Sequence, residues 1–158
     1  MAKASTRDFE IYVKLATTTA EANQALDLTD YVDIADNQAF EVHEIDIVLD
    51  VTEDFPANDT DSKFQLADSN IQAFVSHADR TSLYVARQTF LTAGLAMYHQ
   101  ESFSSLTPLI VSKTLFCRHV SNGAVATENF TLRMKGRVVT PSAKDYMALV
   151  LTQTGNVA

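Results

Sequence analysis

The chain has 158 residues, 46% of them hydrophobic and 20% charged, with 4 Gly, 3 Pro, no Trp and a net charge of -8. That length suits one domain spanning 1–158 around a single core, and the composition excludes disorder, collagen and coiled coil. The halves differ in sign: residues 1–80 carry 17 Asp/Glu against 5 Lys/Arg and residues 81–158 carry 3 against 7, giving -12 and +4.

Hydrophobicity with a period of two dominates. Phe9, Ile11, Val13 and Leu15 alternate with Glu10, Tyr12 and Lys14, which predicts a strand with one wet face. Thr18–Leu28 supplies the good helix formers Ala20, Glu21, Ala22, Gln24, Ala25 and Leu26 behind a Thr run able to cap them, which predicts a short inserted helix. In Phe40–Val51, the residues His43, Ile45, Ile47, Leu49 and Val51 alternate with Glu44, Asp46, Val48 and Asp50. Lys63–Leu66 adds a short piece, and Asn70–Ser76, Ser82–Leu91, Leu109–Val120, Asn129–Thr140 and Asp145–Gln153 follow as strands. Thr92–Tyr98 fits either a turn of helix or a loop. Breaks fall at Phe55–Asp59, His77–Arg80, Thr107-Pro108, Ser121–Gly123 and Thr140–Ser142, where turn-forming residues gather. The expectation is an all-β, eight-stranded Greek-key sandwich of the jelly-roll kind with one short inserted helix. An immunoglobulin-like sandwich is the competitor, and the buried Trp and paired Cys of antibody-type domains are missing.

Few residues suit catalysis. Cys117 is single, so it makes no internal disulfide; His119 shares its strand face, which leaves a Cys/His pair open beside the reading of Cys117 as a small core hydrophobe. His43, His77, His99 and His119 stand too far apart for zinc or cupin-type ligand spacing, so no metal or cofactor is expected. Nucleophile-elbow and phosphate-loop patterns are absent, and an enzyme is not expected. Asp27, Asp30, Asp33 and Asp36 recur every three residues, and Asp54, Asp59 and Asp61 cluster; Ca²⁺ loops compete here with solvated acidic loops. Solvated loops are favoured, because the calcium-loop pattern of central Gly and terminal Glu is not matched. No apolar run reaches a membrane span, and Met1–Asp8 lacks the apolar core of a secretory signal, so a cytoplasmic site of synthesis and folding is expected.

The sharpest constellation is Arg133, Lys135 and Arg137, alternating with Leu132, Met134, Gly136 and Val138, which places three cations in one row opposite the core. Glu44, Asp46 and Asp50 form a matching acidic row. Three readings compete. The cations bind nucleic acid, for which support is weakest given the acidic chain. Alternatively they guard a solvent-exposed sheet edge. In the third reading the two rows face each other, either within the sheet or between copies, where complementarity sets orientation. Phe55, Phe103 and Leu106 are the loop residues expected to be buried between copies.

In size and in the β-rich runs Phe40–Val51, Ser82–Leu91 and Leu109–Val120, with a closing hairpin from Leu132–Val139 through Tyr146–Gln153, the chain resembles the single jelly-roll capsid proteins of icosahedral viruses. The resemblance implies a non-catalytic structural protein of the virion, assembled in the host cytoplasm, whose partners are copies of itself and other virion proteins. It departs from many such proteins in lacking a basic N-terminal arm, since the first twenty residues hold only Lys3, Arg7 and Lys14. The alternative is a β-sandwich binding module for carbohydrate or another ligand, using Tyr31, Tyr84 and Tyr98.

Overall fold

Alternating apolar residues build ten strands among the residues that the computed structural model describes: 3–16, 20–50, 59–76, 78–79, 81–91, 95–102, 109–111, 114–122 and 129–154. One antiparallel sheet contains β1 (Lys3–Ala4), β2 (Phe9–Ala16), β4 (Ala39–Asp50), β8 (Leu109–Val111) and β10 (Asn129–Thr140). In it β10 runs between β4 on one side and β2 and β1 on the other, and β8 lies beyond β4. The second antiparallel sheet contains β3 (Ala22–Asp27), β9 (Thr114–Asn122), β5 (Thr60–Ala67), β6 (Ser82–Leu91) and β7 (Leu95–Ser102), in that order across the sheet. Ile11, Leu15, Ile47, Leu132 and Met134 from the first sheet join Phe64, Leu66, Leu115 and Cys117 from the second in one buried core. The rings of Phe64 and Phe130 pack across it at 5.6 Å.

The inward row of β4 changes phase. Phe40 and Val42 are buried, then Ile45 and Ile47 take over, whereas β10 keeps Phe130, Leu132, Met134 and Val138 inward without a break. One extra residue in β4 reconciles the two: Lys135 faces Glu44 and Gly136 faces Val42, so His43 is the inserted residue of a β-bulge. Its side chain is exposed rather than part of the inward row that simple alternation predicts. Gly136 lies opposite the bulge. A Cβ there would stand 2.9 Å from the Phe40 ring and closer still to the Glu41 carbonyl oxygen, so close approach of β4 requires glycine.

Several expected elements change: the single strand expected over Leu109–Val120 divides into β8 of the first sheet and β9 of the second, and Leu95–Tyr98, expected as a helical turn or loop, begins strand β7. Ala22–Asp27, inside the expected helix, is an edge strand, because Leu26 is buried opposite Leu115 and β9 supplies a ladder that helix propensity cannot outweigh. Residues 17–19 lie outside the described residues. The helix of the fold is instead α1 (Ala143–Thr154), where a strand is expected, and it takes the place of the expected closing hairpin. Ser142 accepts from the Asp145 N–H at 3.2 Å and donates to the Asp145 carboxylate at 2.7 Å, which caps the first turn directly after Pro141. Residues 34–36 add a single 3₁₀ turn.

Asn70–Ser76 is irregular rather than a strand. It lies over the outward face of β5 and β9, and side chains satisfy its backbone: the Val75 N–H donates to Gln65 Oε1 at 2.9 Å, and Gln65 Nε2 donates to the Val75 carbonyl at 3.1 Å. Arg118 stacks over Phe74 at 5.8 Å. Among the described residues no helix is long and apolar enough to cross a membrane.

Candidate functional site

The outward face of the first sheet carries the charges that the sequence singled out. Strand register places Arg133 between Asp46 on β4 and Tyr12 on β2, and places Lys135 between Glu44 and Glu10. Arg133 Nε donates to Asp46 Oδ2 at 3.1 Å, and its Nη2 makes a second bond to the same oxygen. Arg137 pairs one step further along, its Nη2 donating to Glu41 Oε1 at 3.0 Å. Glu10, Glu44, Asp46, Arg133, Met134 and Lys135 line a cleft of about 240 Å³. The acidic and basic rows are therefore cross-strand neighbours within one chain.

This placement removes the sheet-edge reading, since β10 has a neighbour on both sides. It also accounts for the opposed charge of the two halves. Arg133–Asp46, Arg137–Glu41, Arg87–Asp61 and Arg118–Glu21 each join a cation from residues 81–158 to a carboxylate from residues 1–80. The last two lie on the second sheet, where Arg87 grips Asp61 with two bonds of 2.8 and 3.0 Å. Burial pulls the Asp61 carboxyl upward, but its bonds from Arg87 and Thr89 and the nearby Lys63 outweigh this and hold it below the ordinary value.

Asp50 faces Asn129 rather than a cation, and its side chain lies outside the described residues. So do Phe55, Phe103 and Leu106. Apolar exposure appears on α1, where Met147 (58% exposed) and Leu151 (65%) stand one turn apart. A strand over Asp145–Gln153 would put Met147 and Leu151 on one face without this spacing, and the helix signal is the cap Ser142-Ala143-Lys144-Asp145.

A polar chain that spacing did not reveal surrounds the bulge. His43 Nε2 lies 2.7 Å from Glu41 Oε1 and Nδ1 lies 3.1 Å from Asp8 Oδ2, while Glu41 is buried and also takes the bond from Arg137. The Glu41 bond is the main cause that raises the His43 ring above its ordinary value; burial opposes it and Asp8 adds to it.

Cys117 and His119 take structural roles. Cys117 is buried and burial alone pushes its thiol up to about 12, so it stays protonated in the core and is no nucleophile. His119 shares the inward face, packs edge-on against Phe130 at 6.0 Å, and burial pushes its ring below the ordinary value. His99 occupies the register position opposite Arg87, and His77 lies outside the described residues.

Within the acidic run, Asp27 and Asp33 serve the backbone. Asp27 accepts from the Thr29 N–H and Asp33 from the Ala35 N–H, both at 2.9 Å. Among the described residues no three His, Cys, Asp or Glu side chains converge on a metal position. Asp54 lies outside the described residues.

Of the aromatic candidates, Tyr84 is buried and cannot serve as a binding platform, and the Tyr98 side chain lies outside the described residues. Tyr31 is exposed, stacks on Phe9 at 6.1 Å, and lines an open cleft with Asp30, Asp33 and Gln38. No protein-family model matches this chain, and no curated protein matches it in sequence.

Proposed function

We propose that the chain is a jelly-roll structural protein whose copies assemble into a virion shell, formed in the host cytoplasm and partnered by copies of itself and by other virion proteins. The observation that carries this reading is the strand order. Along the first sheet it runs β2, β10, β4, β8, and along the second β3, β9, β5, β6. Following the chain, the path alternates between sheets from β2 to β5, stays in the second sheet for β6, and returns through β8, β9 and β10. We read that order as two interleaved Greek keys with β1 and β7 as additions, an architecture used by viral capsid domains as well as by lectins and cupins. A fold alone does not specify a function, so the surface must contribute. Met147 and Leu151 offer apolar area whose burial favours association.

The direct test is size-exclusion chromatography with light scattering on the full chain and on the double variant Met147→Ser, Leu151→Ser. The reading expects large assemblies for the parent and a shift toward smaller species for the variant. A parent that stays monomeric at high concentration across salt contradicts it.

A second reading has one observation in its favour. The cleft around Tyr31 combines an exposed ring with Asp30, Asp33 and Gln38, the mixture of aromatic and hydrogen-bonding groups that sugar sites use. Glycan-array binding by a monomer, abolished by Tyr31→Ala, would establish it.

A further inference from the structure

His43 is the residue inserted at the β4 bulge, and both of its ring nitrogens face carboxylates: Asp8 at Nδ1 and Glu41 at Nε2. A neutral imidazole has one N–H and satisfies one carboxylate, whereas the doubly protonated ring donates to both. We propose that His43 is a proton-operated clasp that fastens the segment Ser5–Asp8 to β4, closed when the ring carries two protons and released on the Asp8 side when it carries one.

The side that opens follows from the geometry. Glu41 is buried, makes the shorter contact, and is held by Arg137 as well, so the remaining proton stays on Nε2. Asp8 is exposed and would then face the bare lone pair of Nδ1. Among the described residues the segment's other fastenings run to β10: the Ser5 N–H donates to the Val138 carbonyl at 2.8 Å, the Val138 N–H to Thr6 Oγ1 at 2.9 Å, and the Ser5 and Thr140 hydroxyls meet at 2.9 Å. The Asp8–His43 contact ties it to β4 at the bulge opposite Gly136.

Among the described residues the charged groups around the ring are Asp8 from the segment, Glu41 and the adjacent Glu44 from β4, and Arg137 and Lys135 from β10, where Arg137 reaches Glu41 and Lys135 faces Glu44; on β8 the register position opposite Glu41 is Ile110. Because the carboxylates raise the ring above its ordinary 6.5, the clasp contributes fully below that value and is lost as pH rises through the raised one. The segment therefore loosens on the alkaline side of 6.5.

This device concerns one chain and stands whether or not copies assemble. Hydrogen–deuterium exchange with mass spectrometry on the full chain tests it from pH 5 to pH 9. Exchange at the His43 C2 position gives the ring's midpoint, and amide exchange over residues 3–9, corrected for the intrinsic pH dependence, gives the state of the segment. The expected result is a His43 midpoint above 6.5, with corrected amide exchange rising about threefold or more through that midpoint. Asp8→Asn should lower the midpoint and remove the step, and His43→Gln should remove the step outright. Asp8 is exposed, so its variant reports even if the His43 variant fails to fold. A midpoint at or below 6.5, or amide exchange that does not change through it, or a step that persists in either variant, overturns the proposal.

Discussion

Replacing Gly136 by Ala tests the joint between β10 and β4. In an ordinary strand position Gly→Ala stabilises by about 0.4–1 kcal/mol, because the unfolded chain loses freedom. Here the new methyl group would sit 2.9 Å from Phe40 Cζ and 3.1 Å from the Glu41 carbonyl carbon, with the Glu41 oxygen nearer still. Contacts between carbon atoms are comfortable at about 3.5–4.0 Å, so β4 must retreat by roughly half an ångström or more. It cannot retreat freely, since the ladder to β10 runs from Asn129↔Asp50 to Val139↔Ala39 and Phe40 is fully buried. Forced overpacking costs about 1–3 kcal/mol, which exceeds the entropic gain and leaves a net loss of about 1–2 kcal/mol. For a domain of this size that corresponds to a fall in Tm of about 2–8 °C. Differential scanning calorimetry on the parent and Gly136→Ala measures it. A Tm equal to or above the parent's would refute the close approach and the bulge geometry behind it.

Cys117 should resist a thiol reagent such as dithionitrobenzoate at pH 8 in the native chain and react once denatured, since its thiol is buried and pushed up to about 12; rapid native reaction would contradict the core assignment. Cys117→Ser should cost about 1–3 kcal/mol in urea titrations, because a hydroxyl replaces a weakly polar thiol in an apolar setting. His119 gives a pH signature opposite in sign to that of His43. Its folded value lies below the ordinary 6.5, so the unfolded chain binds the proton more readily, and stability falls as pH drops from 6.5 toward the folded value. The parent-minus-variant difference in urea midpoint for His119→Gln should therefore shrink on acidification from pH 7 to pH 5; a difference that grows would refute the assignment.

The strands were legible because alternation survives in a sheet with one wet face: Ile11 and Leu15, and Leu132 and Met134, are buried where a period of two puts them. Tyr146–Leu151 was not legible by pattern, since a short continuous apolar run serves strand and helix alike, and only the cap at Ser142 and Asp145 distinguishes them. Ala22–Asp27 misled in the opposite direction. Its residues favour a helix in isolation, and the partner that makes it a strand, β9, lies ninety residues away in sequence. The charged rows were identified residue by residue, and their pairing follows from β10 lying beside β4, a long-range adjacency that spacing cannot supply. Asp8 and Glu41 are not legible in the sequence because neither stands in a motif with His43: the bulge turns His43 out of the inward row that alternation assigns it, and Asp8 reaches it from a separate segment.

The proposed function requires copies of this chain to build a shell. Electron microscopy of the purified full chain, imaged at several salt and protein concentrations, tests it most directly. The account predicts uniform closed particles or their regular curved fragments, and a field of dispersed monomers under every condition would contradict it.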